Sequence, residues 1–160
     1  AEQSAKDRIA KIFAVKGNKT ADEFHKELGL IMWNNCGMSR NAAGLQSAQE
    51  KITELEDEFW QNLKMAGTND EFNQTLEKAL RIADFLEMTQ LMVTDALHRN
   101  ESCGSHFREE HQTEDNEAKR DDENFSYVAA WEYQGKGKPE VLHKEQLKFE
   151  EVEPTKRSYK

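Results

Sequence analysis

Residues 45–63 read LQSAQEKITELEDEFWQNL, and their apolar members advance in steps of three and four. Leu45, Ala48, Ile52, Leu55, Phe59 and Leu63 therefore fall on one stripe of a helix, a stripe that faces helical partners. Proline does not interfere. Only Pro139 and Pro154 occur, so the first 138 residues permit long uninterrupted helices.

Working outward, SAKDRIAKIFAVKG (4–17) puts Ala5, Ile9, Ile12 and Phe13 on one face, with Gly17 as the expected stop. Thr20 opens TADE, a capping box in which Glu23 reaches back to the Thr20 amide. Phe24, Leu28, Ile31 and Met32 form the next stripe, expected to run to about Asn35, with Gly37 as its stop and Ser39 capping the Leu45 helix. That helix is expected to end near Gly67. TNDE (68–71) is a second candidate capping box, and Phe72, Leu76, Ala79, Ala83, Leu86, Val93 and Leu97 carry a fourth helix to about Arg99. Short polar joints between long amphipathic helices make antiparallel neighbours. The expected fold is mainly α: an up-and-down, three-helix, spectrin-repeat-like antiparallel bundle over residues 1–100, with a short leading helix. An intermolecular coiled coil is disfavoured by the short joints and wide apolar faces.

Beyond Arg99 the composition shifts. Residues 101–123 hold nine acids and three bases. EEHQTEDNEAKRDDEN (109–124) has no apolar period, so 101–124 is expected to be an acidic polar connector. FSYVAAWEYQ then alternates with period two, placing Tyr127, Ala129, Trp131 and Tyr133 on one face. GKGKP is turn chemistry. EVLHKEQLKFEEV returns as a second strand with Leu147 and Phe149 inward, so 125–160 reads as a β-hairpin extension with a C-terminal tail. A two-stranded ribbon is marginal alone, so it is expected to lean on the bundle or a partner.

Composition narrows the function. The 160 residues suit one domain, and a net charge of −9 argues against nucleic acid and anionic membranes. No run approaches the ~18 apolar residues of a membrane span. The chain opens on Ala1 without a signal-peptide pattern or an initiating Met, which raises the expectation of a processed or excised fragment. Two cysteines, Cys36 and Cys103, read as reduced cytosolic thiols.

The chemistry concentrates in ALHRNESCGSHFREE (96–110). Cys103 and His106 have a C-x2-H spacing with His98 and His111 nearby. A structural zinc site needs a second pair, and Cys36 and His25 supply no matching motif. Catalytic Cys/His pairs are assembled across a fold, so adjacency in sequence says little. No Gly-rich turn joins a strand to a helix to hold a flavin or nucleotide, and the acidic connector lacks the spacing of an EF-hand. The remaining reading is a helix end. His98 and Arg99 sit in the last turn, where positive charge suits the dipole. Gly104 ends the element or admits another backbone, and Arg108 offers a fork to a carboxylate. No catalytic, cofactor-binding or metal-ligating residue is expected in this chain.

RNESCGSHFREE followed by RDDENF resembles the C-terminal domain of the flavoprotein subunit of fumarate reductase and succinate dehydrogenase. That family shows Arg-x-Glu-Ser-Arg-Gly-Ala-His-x-Arg-x-Asp, then Arg-Asp-Asp-Glu-Asn-Trp. Arg99, Glu101, Ser102, Gly104, His106 and Arg108 match, as do Arg120, Asp121, Asp122, Glu123 and Asn124. Met32, Gly37 and Arg40 match the family's helix-turn-helix, and Arg157 and Tyr159 its terminus. The wording around NFSYVAAWEY is most similar to Bacteroides-type enzymes. Cys103 departs from the family's Arg, and Phe125 from its Trp. A thiol cannot replace five guanidinium donors, so any salt bridge made there by relatives is in doubt here.

The resemblance implies a parent oxidoreductase that interconverts fumarate and succinate through covalently bound FAD. Electrons would pass to an iron–sulfur subunit and then to quinone. The residues that bind flavin and substrate would lie in domains N-terminal to this one, leaving the fragment inactive alone. Its implied partners are the FAD-binding domain of the same subunit and the iron–sulfur subunit, with no nucleic acid and no membrane span of its own. Its implied place is cytoplasmic, at the inner face of the membrane through partner subunits. Arg40, Arg99, Glu101, Ser102, Gly104, His106 and Arg108 become the expected domain interface. The alternatives are a stand-alone helical interaction module without redox chemistry and a small thiol or metal protein using Cys103 and His106.

Overall fold

Helices α1 (Glu2–Ala14), α2 (Ala21–Asn35), α3 (Ala42–Asn62) and α4 (Gln74–His98) build the first of two units in the computed structural model. The structure describes residues 1–135 and 137–155, so Lys136 in the GKGKP turn, and Arg157 and Tyr159 near the terminus, lie outside the described residues. All six residues of the Leu45 stripe are buried. They meet Phe24 and Leu28 of α2 and Ala79, Ile82, Ala83, Leu86, Val93 and Ala96 of α4 in one core. Phe24 and Phe59 meet edge to face, with centroids 5.3 Å apart. The pairs Gln49–Thr94 (3.1 Å) and Gln90–Thr53 (3.5 Å) run in opposite chain directions and so align α3 antiparallel to α4. Lys78 bonds Asp22 and His25 stacks near Phe85, which sets α2 parallel to α4. The three-helix up-and-down bundle is thus present. Helix α1 adds Ile12 to its core, Arg8 to Asp84, and Lys11 3.8 Å above the Trp60 ring.

The capping box at Thr20 forms as written: its side chain accepts from the Glu23 amide and the Glu23 carboxylate accepts from the Thr20 amide. Other helix ends differ from the expectation, each for a local reason. Helix α3 is capped by Asn41, whose side chain accepts from the Gly44 amide at 2.8 Å, rather than by Ser39. It stops at Asn62 and not near Gly67, because Leu63 and Lys64 turn aside to pair with the backbone of residues 17–19. Helix α4 starts at Gln74, not in the TNDE box. Asn73 caps it through the amides of Thr75 and Leu76, while its own amide nitrogen holds the carbonyls of Ala66 and Thr68. Phe72 consequently lies outside the helix and is 87% exposed.

Gly17 also serves a different purpose. Helix α1 already ends at Ala14, and Gly17 lies three residues on, where its amide bonds the Leu63 carbonyl at 3.1 Å. A Cβ there would stand 1.9 Å from the Asn62 backbone, so only hydrogen fits. Beside this crossing, the Lys19 ammonium bonds Glu27 at 2.6 Å and Glu58 at 2.7 Å above the Phe24 ring. Burial works against that charge, but the hydrogen bonds to the two carboxylates outweigh it and raise the lysine's pKa. The hydrogen bond from Lys19, then that from Asn62, hold Glu58 below the ordinary carboxylate range.

The second unit, beginning at Arg99, carries a short helix α5 (Asp122–Phe125) and an antiparallel hairpin of Tyr127–Glu132 with Val141–Gln146. Its register runs from Tyr127 opposite Gln146 to Glu132 opposite Val141. Tyr127, Ala129 and Trp131 are the less exposed residues of the first strand, as the alternation predicts, but Tyr133 falls past the strand's end at Glu132 and is 65% exposed. The second strand ends at Gln146, before Leu147 and Phe149, and both are exposed rather than inward.

Two glycines give opposite expectations. Gly17→Ala must push backbone apart and is expected to cost about 2 kcal/mol or more. Gly29→Ala, in the interior of α2 with open space around its Cβ, is expected to stabilise by roughly 0.5–1 kcal/mol. Urea unfolding midpoints of the two variants check both. The Lys19 cluster also sets a pH dependence. Because the Glu58 carboxyl is depressed in the fold, its contribution is full above the ordinary carboxylate value and is lost as pH falls through the folded value. Lys19→Met is expected to flatten stability against pH in that acidic window, read from thermal midpoints at successive pH values.

Candidate functional site

Residues 99–125 follow α4 and hold the polar residues that are buried among the described residues. Glu101, Ser102 and Arg108 are nearly inaccessible, Glu101 at 2%. A charged carboxylate is costly to bury unless every lone pair is used. Here both oxygens are engaged. One accepts from the Arg99 Nε at 2.8 Å and from the same guanidinium's terminal nitrogen at 2.6 Å. The other accepts from the Asp121 amide at 2.8 Å. Arg99 also donates to the Phe125 carbonyl at 3.2 Å. One carboxylate thus ties the start of the loop to the start of α5.

Ser102 is engaged through both its amide and its hydroxyl. Its amide donates to the Lys119 carbonyl at 2.9 Å. Its hydroxyl accepts from the Arg108 amide at 2.8 Å and donates to the Arg108 carbonyl at 3.1 Å. Between these, Cys103 and His106 exchange two backbone hydrogen bonds, at 2.9 and 3.1 Å, around Gly104 and Ser105. Gly104 has φ +60° and no atom within 4 Å of where a Cβ would sit. It neither ends α4 nor admits a neighbouring backbone. It supplies the left-handed first position of a two-residue hairpin turn, where L-residues are strained.

The His106 ring nitrogen Nε2 lies 2.9 Å from the Arg99 carbonyl. A carbonyl only accepts, so Nε2 carries the proton. The Arg108 guanidinium reaches Glu110 at 3.2 Å and the Arg99 carbonyl at 3.4 Å. Arg99 lies just past the end of α4 and pairs with Glu101, so its charge is committed to a carboxylate in its own loop and not to the helix dipole. Six of the seven expected interface residues therefore share one hydrogen-bonded loop. Arg40 belongs to the first unit, where its Nε donates to the Gly37 carbonyl at 2.7 Å. Beside it, burial pushes the Cys36 thiol up, with Arg40 opposing the rise.

Asp121 and Lys119 complete the loop through their backbone groups, and the composition gave no signal for them. The contact from Glu101 to Asp121 spans 20 residues. The acidic stretch 109–124 is mostly exposed, but it carries its own order. His111 and Lys119 pair at 3.1 Å, Thr113 and Glu117 at 2.9 Å, and Asn116 takes φ 61° in the turn between them. Asp121 caps α5 through the Asn124 amide, and Arg120 grips Asp122 at 2.6 Å. Chemically, this is a rigid scaffold. His106 is engaged with a carbonyl, and the Glu101 carboxylate is fixed by three donors. These bonds hold the loop's own backbone in one arrangement.

The family model for the fumarate reductase flavoprotein C-terminus matches residues 25–159. The fumarate reductase flavoprotein subunit of Haemophilus influenzae is 27% identical over 99% of this chain and 26% of its own length. Its counterpart in Proteus vulgaris is 28% identical over 96% of this chain and 25% of its own length. Among solved structures, a quinol-fumarate reductase with menaquinol superposes with a TM-score of 0.75 at 25% identity, over 96% of this chain and 25% of that one. The chain thus spans about a quarter of the length of these relatives.

Two substitutions separate charge from shape in this loop. Glu101→Ala leaves Arg99 and the Asp121 amide without their buried partner and is expected to cost about 3 kcal/mol in urea unfolding. Glu101→Gln keeps an acceptor oxygen and is expected to cost less than half as much.

Proposed function

The chain belongs to the fumarate reductase flavoprotein C-terminal family, and from that premise we propose that it is the docking domain of a full-length flavoprotein subunit that interconverts fumarate and succinate. In this reading the parent subunit carries FAD, covalently linked, and passes electrons to an iron–sulfur subunit and on to quinone. The domain contributes position, and Arg40 and the loop from Arg99 to Arg108 face the FAD-binding domain and the iron–sulfur subunit. What carries the reading is the coincidence of the family match with a loop in which the matched Arg99, Glu101, Ser102, His106 and Arg108 all bond backbone groups and hold them in place. A loop built for proton transfer would keep a donor or acceptor in reserve.

The residues present do not fit a flavin dinucleotide. Its pyrophosphate is held where a strand runs through a Gly-rich turn into a helix. The six-residue strands described here pair only with each other, antiparallel, and Gly104 serves a hairpin. The flavin chemistry is therefore assigned to other domains of the parent. Among the described residues no helix is long and apolar enough to cross a membrane. Attachment at the cytoplasmic face would come through partner subunits.

An antibody to this chain tests the reading in its source cell. The expected band is several times larger than 18.5 kDa and carries covalent flavin fluorescence. A band of the fragment's own size without flavin would replace it with a stand-alone interaction module. In the full-length subunit, Arg99→Ala and His106→Ala are expected to weaken assembly more than turnover per flavin. A large fall in turnover with assembly and flavin content intact would give these residues a chemical role instead.

A further inference from the structure

After its second strand the chain runs on as LKFEEVEPT, residues 147–155, outside any helix or strand yet pinned at both ends. The Leu147 amide donates to the Ser126 carbonyl at 3.0 Å. At the far end the Arg120 guanidinium, already anchored on Asp122, donates to the Thr155 carbonyl at 3.0 Å. Every residue between the pins is exposed, including Leu147 at 44%, Phe149 at 49% and Val152 at 68%. Glu150, Glu151 and Glu153 are interleaved with them against the single base Lys148.

This combination narrows what can cover the segment. Three large apolar side chains held in water forgo about 25 cal/mol for each Å² that burial would remove from solvent. A partner that buries Phe149 and Val152 also takes the neighbouring glutamates out of water, and unpaired buried carboxylates would oppose binding. The partner must therefore be apolar where Phe149 and Val152 point and basic around them. A second copy of this chain, with net charge −9, presents the wrong sign, and so do nucleic acid and anionic lipid. Pinning at both ends lowers the ordering cost of docking, because part of the chain entropy is already spent.

We infer that residues 147–155 are a docking strap seated in an apolar groove rimmed by lysine and arginine on the flavin-binding domain of the parent subunit. The inference rests on the function proposed above, which supplies that domain, while the groove's chemistry comes from the strap itself.

The test is cleavage of the purified full-length subunit by a glutamate-specific protease, which finds Glu150, Glu151 and Glu153 in the strap. In the wild type, cutting there is expected to be slower than in the urea-unfolded chain by about tenfold or more. Phe149→Ser and Val152→Ser are each expected to restore most of the lost rate without altering covalent flavin content, and raised salt should also speed cutting, because it screens the glutamates from a basic rim. A wild-type strap cut as fast as the unfolded chain overturns the inference. So do serine variants cut no faster than wild type, or protection that arises only once the iron–sulfur subunit is added. If no flavin-bearing subunit larger than this chain exists, the proposed function itself fails and the strap's partner with it. Flavin fluorescence on the same gel separates that case from the others.

Discussion

One face of α3 has to leave water, and the arrangement of the other helices of the first unit follows from that constraint. Leu45, Ala48, Ile52, Leu55, Phe59 and Leu63 are all buried, and each of the five larger side chains is worth roughly 1.5–3 kcal/mol once enclosed. A stripe this long needs cover along its whole length. Helix α4 covers it antiparallel, with glutamine–threonine pairs marking the alignment, and α2 fills the remaining side through Phe24 and Leu28. The backbone crossing at Gly17 and Lys19 then closes the end of α3, which is why that helix stops at Asn62 although its sequence invites more turns.

The second unit obeys a different rule. It has little apolar core, and its order comes from polar groups that must all be satisfied. Glu101 and Ser102 supply acceptors and donors that reach both limbs of the loop. A network of this kind is stable when complete and costly when any member is lost.

The helical periodicity was legible because it is local: residues three and four apart share a face whatever the rest of the chain does. The Thr20 box was legible for the same reason. The ends that went astray, at Asn41, Asn62 and Asn73, were decided by groups elsewhere in the chain or by a side chain with several partners, and a capping motif such as TNDE does not report that competition. The loop's residues were recognisable as a family pattern, but their use was not. Nothing in the composition of 101–124 says that Glu101 will be buried, because one of its two partners, the Asp121 amide, lies 20 residues on. The same holds for Gly104, where a turn and a close approach look alike in sequence and only the backbone angle separates them.

The distance along the chain between Glu101 and Asp121 also sets an order of events. Helices α2, α3 and α4 follow one another directly in the chain and can find one another as soon as they are made, since nearby contacts close quickly. The carboxylate of Glu101 must wait until Asp121 has been synthesised, and Ser102 until Lys119. During synthesis the bundle therefore exists before the loop that follows it has a shape, and for that interval Arg99 and Glu101 remain solvated. A loop completed last takes its shape only after the helices that precede it in the chain have been committed.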